Sequence, residues 1–278
     1  MDRPAVFDAD RPLIFAHRGG ARLAPENTIP AIDNGMRLGS DGFEIDVQLS
    51  ADGIPVVIHD QTLERTTDRS GPVSALTADE LARVDAGHCF ELDGRFPFRG
   101  QGIGVPRLVE LLKRHPEARV IIELKGGQPE LAHAVAAAVR KTDAVKRVCV
   151  GSFYQHSINA IREADPEIVT SASTSEARWT LHRSWVRWPW VSKQPYVAFQ
   201  VPEFAGRMRV VSPAFVRQVH KQGHVMQVWV VNEPPDIQRL LDWGVDGIIS
   251  DRPDIAIATR DEWFTHRSRG EGGLRTRS

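Results

Sequence analysis

The chain contains little cysteine, and its two cysteines form no recognisable motif. Cys89 and Cys149 lie far apart among the 278 residues and outside any CxxC spacing. We therefore expect two free, buried thiols rather than a disulfide, and this favours a reducing compartment.

Long apolar runs are also missing. No run approaches the roughly 20 residues that a membrane-spanning helix needs. The N-terminal stretch MDRPAVFDADRPLIF lacks a basic segment followed by a long apolar one, so we expect no signal peptide. Together with the free cysteines, these features predict a cytoplasmic protein.

Neither sign of charge is in excess. The 35 basic residues balance 36 acidic ones, and the formal net charge is -1. Proteins that bind nucleic acid usually carry a basic field, so we expect no nucleic-acid partner. Hydrophobic residues make up 41% of the chain, which is enough for the full core of a globular α/β protein.

Short apolar runs alternate with helical patterns along nearly the whole chain. Repeated strand–helix units imply a parallel sheet with helices outside it, and eight such strands in about 250 residues fit a (β/α)8 TIM barrel. An open doubly wound sheet is the alternative, but no GxGxxG motif follows the first strand. The predicted strands are Leu13–Ala16, Phe43–Leu49 with Ile54–Ile58, Arg119–Leu124, Arg147–Gly151, Ile168–Ser171, Val197–Val201, Val225–Val230 and Gly247–Ile249.

Two regions interrupt this alternation. Residues 60–106 are rich in Gly, Asp, Thr and Pro, and we interpret them as a small lobe inserted after the second strand, over the barrel mouth. The tail, residues 265–278, has almost no apolar side chains and is expected to be disordered. The expected organisation is therefore one TIM-barrel domain over residues 1–264, inserted lobe included.

The first predicted helix has clear start and stop signals. In NTIPAIDNGMRLG, Asn27 is expected to cap the N-terminus and Gly39 to end the helix in a left-handed turn.

The stretch GFEIDVQLSADGIPVVIHD carries acidic residues on one side of a predicted strand. Successive side chains of a strand face opposite ways, so Glu44 and Asp46 lie opposite Phe43 and Ile45. In a barrel the apolar side packs against the surrounding helices. We therefore expect both acids to point into the barrel.

The third barrel strand repeats this arrangement. In VIIELKG, Glu123 and Lys125 share one face, opposite Ile122 and Leu124. Inward carboxylates are costly to bury unless something neutralises them, and oxygen ligands suit Mg²⁺ or Ca²⁺ better than zinc. Structural ion pairs with Arg18 or Lys125 are the alternative, but acids on two neighbouring strands favour a metal site.

Two histidines stand at predicted strand tips. His17 follows the first strand, and His59 follows the strand that returns from the acidic one. Both a ligand role and an acid–base role fit them. We prefer an acid–base pair, because imidazole titrates near neutrality and the carboxylates already supply enough ligands.

The order of these motifs resembles that of the glycerophosphodiester phosphodiesterases. HRGG followed by PENT, then EIDVQLSADGIPVVIHD, IIELK, VWVVN and GVDGIISDRP run in the family's order over nearly the whole chain. The resemblance implies a TIM barrel with an insertion after the second strand. It also implies divalent-metal-dependent cleavage of glycerophosphodiesters to glycerol 3-phosphate and an alcohol.

The resemblance assigns roles residue by residue. It implies that His17 and His59 are the general acid and base, and that Glu44, Asp46 and Glu123 bind the metal. These roles agree with the interpretation reached from the strand pattern.

The resemblance also extends to groups around the phosphate. Arg18 and Lys125 match the family's cationic groups near the phosphate. VWVVN stands where the family usually has VWTVN, and its Trp229 is predicted to line the substrate pocket, with a packed core tryptophan as the alternative.

One tryptophan-rich stretch follows the fifth predicted strand. EARWTLHRSWVRWPWVSK contains Trp179, Trp185, Trp188 and Trp190, interleaved with four arginines or lysines. Such a mixture is typical of membrane–water interfaces, so this segment is a candidate for contact with lipid or a lysolipid chain. The alternative, which we prefer, is that the tryptophans pack a helix against the barrel while the cations stay in water.

Two rival functions follow from these patterns. One is a lysophospholipase D or related phospholipase that acts on long-chain lysolipids at a membrane surface. The other is a non-catalytic barrel, for which we would expect a histidine or carboxylate of the site to be lost, and all are present. The identity of the headgroup alcohol, the choice between Mg²⁺ and Ca²⁺ and the oligomeric state stay open from sequence.

Overall fold

The computed structural model describes residues 3–185 and 194–272, in which parallel strands form a nearly closed barrel with helices outside it. The strands are β1 (Leu13–His17), β2 (Gly42–Leu49), β3 (Pro55–Val57), β4 (Arg119–Leu124), β5 (Val148–Gly151), β6 (Val169–Thr170), β7 (Ala198–Pro202), β8 (Phe204–Ala205), β9 (Met208–Arg209), β10 (Val225–Trp229) and β11 (Gly247–Ser250). The helices are α1 (Ile29–Arg37), α2 (Ala78–Leu81), α3 (Leu108–Arg114), α4 (Pro129–Lys141), α5 (Gln155–Ala164), α6 (Thr174–Trp185), α7 (Pro213–Lys221), α8 (Pro234–Asp242) and α9 (Pro253–Gly272).

Eight of these strands surround the barrel axis. Neighbours follow the order β6-β5-β4-β2-β1-β11-β10-β7, and every pairing along this path is parallel. The two ends meet where the Val197 amide donates to the Thr170 carbonyl (3.0 Å) and the Ala172 amide to the Ala198 carbonyl (2.8 Å). The predicted (β/α)8 TIM barrel is confirmed.

The outward sides of the strands are apolar and pack on the helices. Phe43 and Ile45 of β2 and Ile122 of β4 are fully buried in one cluster with Leu111 of α3 and Val135 of α4. Because strand side chains alternate, this outward set fixes the opposite, inward orientation of the neighbouring acids.

The interior of the barrel changes from apolar to charged along the strands. Phe15 of β1, Cys149 of β5 and Ile249 of β11 fill its lower part, and Phe7 plugs the opening with its ring centre 6.4 Å from that of Phe15. The next inward residue of β1 is His17. The carboxyl ends of the strands therefore carry the polar residues, where TIM-barrel active sites lie.

Both cysteines are free, as predicted. Cys149 is fully buried in the barrel interior, and burial raises the pKa of its thiol. Cys89 is half-buried in the inserted lobe, so the expected burial is confirmed for Cys149 and not for Cys89.

Residues 60–106 form the insertion expected after the second strand. They follow β3, which pairs antiparallel with β2, and they contain the short helix α2. Leu63, Leu81 and Val84 of this lobe share a small apolar cluster with Val56 of β3. The lobe is thus packed on the strand that pairs with β2.

The start of α1 differs from the prediction. Thr28 is the N-cap, and its side chain accepts a hydrogen bond from the Ala31 amide (3.4 Å). The prediction that Asn27 caps the helix was wrong, because Asn27 adopts a φ of +60° and its amide donates to Asp46 (2.8 Å). Gly39 has a φ of +96° directly after the helix, as predicted.

Helix α9 continues into the segment for which disorder was expected. Residues 265–272 belong to the helix, where the Arg267 guanidinium lies 5.2 Å from the ring centre of Trp263, one turn earlier. Neighbours one turn apart stabilise a helix, and this contact was not recognised in a sequence with few apolar residues. Residues 273–278, the rest of the predicted tail, lie outside the described residues.

The tryptophan-rich stretch is only partly described. Trp179 of α6 is 64% exposed, with the Arg183 guanidinium 5.9 Å from its ring centre. The side chain of Trp185 and all of Trp188 and Trp190 lie outside the described residues. In the ranges that are described, no helix is both long and apolar enough to cross a bilayer. Lipid contact by this stretch stays a prediction.

Candidate active site

The parallel register of three strands brings the predicted residues together. His17 at the end of β1 pairs with Glu44 of β2, and Asp46 of β2 pairs with Glu123 of β4. Because all three strands run in the same direction, their inward side chains meet at one end of the barrel.

Three carboxylates form the centre of this site. Oxygen atoms of Glu44, Asp46 and Glu123 lie within 4.8 Å of one another, although Glu44 is only 5% and Asp46 only 1% exposed. Burial, followed by the negative charge of Asp46, raises the pKa of Glu44 to about 8. Burial likewise raises the pKa of Glu123. The surrounding groups therefore do not fully offset the negative charge of three ionised carboxylates.

This cluster fits a divalent metal ion. Asp46 Oδ1 is buried without a hydrogen bond of good geometry, although Lys125 Nζ lies 3.0 Å from it. All three donors are carboxylate oxygens, the ligands that Mg²⁺ and Ca²⁺ prefer. Glu44, Asp46 and Glu123 are therefore the residues that would hold such an ion.

Two cations also contact the carboxylates. Arg18 Nε lies 3.0 Å from Asp46 Oδ2, and Lys125 Nζ lies 3.0 Å from Asp46 Oδ1 and 2.8 Å from Glu123 Oε1. Burial alone would raise the pKa of Asp46, but Arg18 and Lys125 lower it. The ion pairs considered from sequence are thus present. Among the described residues they leave Glu44 without an ion pair to an arginine or lysine side chain, although the Arg18 amide donates to its Oε2 (3.3 Å).

The HRGG turn is shaped to bring Arg18 to this cluster. Arg18 itself has a φ of +52°, and its amide donates to the Glu44 carbonyl (2.8 Å). Gly19 has a φ of +87°, and a Cβ there would lie 2.6 Å from the backbone carbon of Ala31. Only glycine permits the turn to pack this closely against α1.

Asn27 holds Asp46 from the other side. Its side-chain amide donates to Asp46 Oδ2 (2.8 Å), and its Oδ1 accepts from the Asp46 amide (3.2 Å). This pair fixes the rotamer of a carboxylate at the centre of the site. The residue was expected to act on the helix, and its role in the site was missed.

His17 is held by an aspartate at the end of β11. His17 Nδ1 lies 2.6 Å from Asp251 Oδ1, and Asn232 Nδ2 donates to Asp251 Oδ2 (3.1 Å). Burial acts to lower the pKa of His17, but the hydrogen bond with Asp251 and the charge of Glu44 raise it overall. The other ring nitrogen, Nε2, faces Glu44 at 3.7 Å.

His59 has a similar arrangement built from different residues. Its Nδ1 lies 2.5 Å from Asp60 Oδ1, and Arg65 of the inserted lobe donates to Asp60 Oδ2 (2.5 Å). Arg65 also binds Glu26, which accepts a hydrogen bond from Arg18 (2.8 Å). One network therefore connects the inserted lobe to both His59 and Arg18.

A cavity of about 580 Å³ opens beside these groups. Trp229, at the tip of β10, lines it with its ring edge-on to Phe153 at 6.0 Å, so this tryptophan is part of the pocket wall. Lys125 Nζ lies 5.5 Å from the centre of the Phe153 ring. The charged and aromatic groups thus face the same space.

The family of the chain follows from its similarity to known proteins. The sequence model of the glycerophosphoryl diester phosphodiesterase family matches residues 17–255. The chain belongs to this family. It is therefore an enzyme of the phosphodiesterase class, and the resemblance of its motifs is confirmed.

Individual relatives agree over most of their length. A glycerophosphodiester phosphodiesterase of Caldanaerobacter subterraneus subsp. tengcongensis is 32% identical over 88% of this chain and 96% of its own. The crystal structure of a glycerophosphodiester phosphodiesterase from Agrobacterium tumefaciens is 31% identical, with a TM-score of 0.73 over 89% of this chain and 99% of that one. A phosphodiesterase of Oleispira antarctica, described in complex with its product sn-glycerol-3-phosphate, is 24% identical with a TM-score of 0.72 over 90% and 97%.

The sequence contained weak signals for the supporting residues that were missed. Asp60 directly follows His59, and Asp251 directly follows the last strand in SDRP, as acids at strand tips do in barrel sites. Glu26 and Arg65 gave no such signal, because only the fold brings the insertion against the HRGG–PENT turn.

Proposed function

We propose that the protein hydrolyses glycerophosphodiesters to glycerol 3-phosphate and an alcohol. The observation that carries this proposal is a cluster of three carboxylates, two of them buried, with two histidines beside it that each bond an aspartate. The family and the product described for the Oleispira antarctica neighbour support the same reaction. The relatives do not favour the alternative of a lysophospholipase D.

Positive charge prepares the site for an anionic phosphodiester. Glu44, Asp46 and Glu123 would hold Mg²⁺ or Ca²⁺, and such an ion would supply positive charge to offset that of the phosphodiester. Arg18 and Lys125 add two fixed cations at the same end of the cavity. Charge that grows on the phosphoryl group in the transition state is thereby stabilised.

The two histidines transfer protons on either side of the phosphorus. Asp251 is hydrogen-bonded to Nδ1 of His17, and Asp60 is hydrogen-bonded to Nδ1 of His59. In each ring Nε2 is therefore the nitrogen that exchanges a proton with the substrate. One histidine accepts the proton of the attacking oxygen as the new P–O bond forms. The other donates a proton to the departing alcohol oxygen as its bond to phosphorus breaks. The attacking oxygen is that of water, or a glycerol hydroxyl that forms a cyclic phosphate which water then opens.

Release of glycerol 3-phosphate from glycerophosphocholine tests this function. We expect wild-type turnover that EDTA abolishes and that Mg²⁺ or Ca²⁺ restores. His17→Ala and His59→Ala should each lower kcat/KM by about 10²- to 10⁴-fold, because each removes one proton-transfer group. His133→Ala is the matched control, since His133 lies exposed on α4 and bonds only a backbone carbonyl.

Glu123→Gln tests the metal site separately. It keeps the shape of the side chain but removes one ligand charge, and we expect about 10- to 100-fold weaker metal binding by calorimetry with the ion alone. Metal-independent turnover, or full activity of either histidine variant, would contradict the proposal.

We also propose that the protein acts in the cytoplasm. The free thiols of Cys89 and Cys149 support a reducing compartment. Fractionation of cells that express the tagged chain checks this location, and recovery with secreted or envelope proteins would contradict it.

A further inference from the structure

The active-site cavity has a charged half and an apolar half. The charged groups come from β1, β2 and β4, which are adjacent in the barrel. The remaining wall comes from the segments that follow β5 and β6, from α6 and from the region of β7 to β10. The proposed reaction uses only the first half, so the second half needs a separate explanation.

Aliphatic side chains form one part of the wall of this second half. Ala177 and Leu181 of α6 are four residues apart and so share one face of the helix. Val201 of β7 and Met208 and Val210 of the following segment line the cavity beside them. We call this set of five residues, together with Ala205, the apolar chamber.

The β8–β9 ribbon supplies the outer wall of the apolar chamber. Ala205 pairs with Met208, and Phe204 pairs with Arg209, so the two pairs lie on opposite faces of the ribbon. Ala205 and Met208 line the cavity, whereas Phe204 and Arg209 do not. A backbone hydrogen bond from Val210 to the Glu203 carbonyl (2.9 Å) closes the ribbon.

Two of the polar side chains near the apolar chamber already donate hydrogen bonds to other protein groups. Ser173 Oγ donates to Gln155 (2.5 Å), and Gln200 Nε2 donates to Gln227 (2.8 Å). Thr174 and Arg178 also line the cavity but are exposed, so they lie at its solvent edge. A polar ligand group deep in the chamber would therefore find few partners and lose its hydration.

We infer that the apolar chamber binds an unbranched alkyl group on the alcohol that leaves, an inference that rests on the proposed function. In that reaction the glycerol stays with the phosphate, and its hydroxyl groups need the polar half of the cavity. The departing alcohol then lies towards the other half. The preferred substrates are thus glycerophosphodiesters whose alcohol carries a hydrocarbon chain.

A homologous series of substrates tests this inference. We would measure kcat/KM for release of glycerol 3-phosphate from its ethyl, butyl and hexyl phosphodiesters with the metal-loaded enzyme. Each methylene buried in the transition-state complex raises kcat/KM by about two- to fourfold. The hexyl ester should therefore exceed the ethyl ester by at least about tenfold.

Variants of the β8–β9 ribbon test whether the apolar chamber causes the preference for a longer alkyl chain. Met208→Ser removes an aliphatic side chain that lines the chamber, and it should lower the hexyl-to-ethyl ratio of kcat/KM by about fivefold. Phe204→Ser is the matched control, because Phe204 is 45% exposed against 41% for Met208 but lies on the opposite face. It should leave the ratio unchanged. Ala205→Glu places a charge on the chamber face and should lower the ratio as well.

Each outcome has a definite meaning. Hydrolysis of the ethyl ester with no gain along the series would overturn this inference and leave the proposed function intact. A flat series together with turnover of 1-hexanoyl-glycerophosphocholine would also overturn it, since the chain would then belong to the glycerol side. No release from any ester would refute the proposed function and this inference with it.

Discussion

At the scale of single residues, the site depends on side chains that orient the reacting groups. Asp251 bonds Nδ1 of His17, and Asn232 bonds the other oxygen of Asp251. The aspartate therefore fixes both the tautomer and the ring orientation of the histidine. Asp60 does the same for His59.

Asp251→Asn should separate this positioning role from binding. We expect kcat to fall by about 10- to 100-fold, because the variant no longer selects the tautomer that presents Nε2. KM and the melting temperature should change little, since Asp251 does not contact the carboxylate cluster. Asp254→Asn, a change at the next acidic residue of the chain, serves as the control, because Asp254 bonds Arg252 and the Ile255 backbone rather than His17. An unchanged kcat in Asp251→Asn would contradict the role.

At the scale of elements, the turn after β1 is the structure on which the site is most dependent. It carries Arg18 into the carboxylates and packs its glycine directly on the backbone of α1. The turn and helix α1 are therefore packed as one unit. We expect a change in either of them to displace the Arg18 guanidinium.

Gly19→Ala should lower the free energy of unfolding more than a glycine substitution at an open turn does. Both Gly19 and Gly53 have a positive φ, but a Cβ at Gly53 would meet open space. We expect Gly53→Ala to lower the free energy of unfolding by about 1 kcal/mol and Gly19→Ala by about 2–4 kcal/mol, because the latter adds a backbone collision. Urea unfolding of both variants measures the difference. Equal losses would show that backbone strain alone matters at Gly19.

The elements also show what the sequence could and could not predict. The alternation of acids and aliphatic residues in β2 and β4 placed Glu44, Asp46 and Glu123 correctly, because strand geometry is local. The pairing of Asn27 with Asp46 spans 19 residues and overrode the local preference of asparagine for a helix cap. The β8–β9 ribbon was missed because each strand has only two residues.

At the scale of the whole molecule, the two ends of the barrel interior differ in chemical character. Phe7 and Phe15 close the apolar end, and the charged groups are confined to the carboxyl ends of the strands. Both ends depend on a closed barrel. The ring of strands closes at the short strand β6, which lies beside helices α5 and α6. An ion pair between Arg162 of α5 and Glu176 of α6 connects these helices (2.7 and 3.1 Å).

This ion pair should give the free energy of unfolding a defined dependence on pH. Burial acts to raise the pKa of Glu176, but the hydrogen bonds and charge of Arg162 lower it below its usual value of 4.5. The folded state thus favours the ionised carboxylate. Its contribution is complete above about pH 5.5 and is lost as the pH falls through the lowered pKa.

Glu176→Gln tests this contribution by urea unfolding between pH 3 and pH 7. At pH 7 we expect a loss of about 2 kcal/mol, because Arg162 loses a charged hydrogen-bond partner. The gap between wild type and variant should narrow below about pH 4.5, as the wild-type carboxylate becomes protonated. Glu163→Gln, at an exposed position of α5, should show no such gap. A gap for Glu176→Gln that stays constant down to pH 3 would mean that shape rather than charge makes the contact.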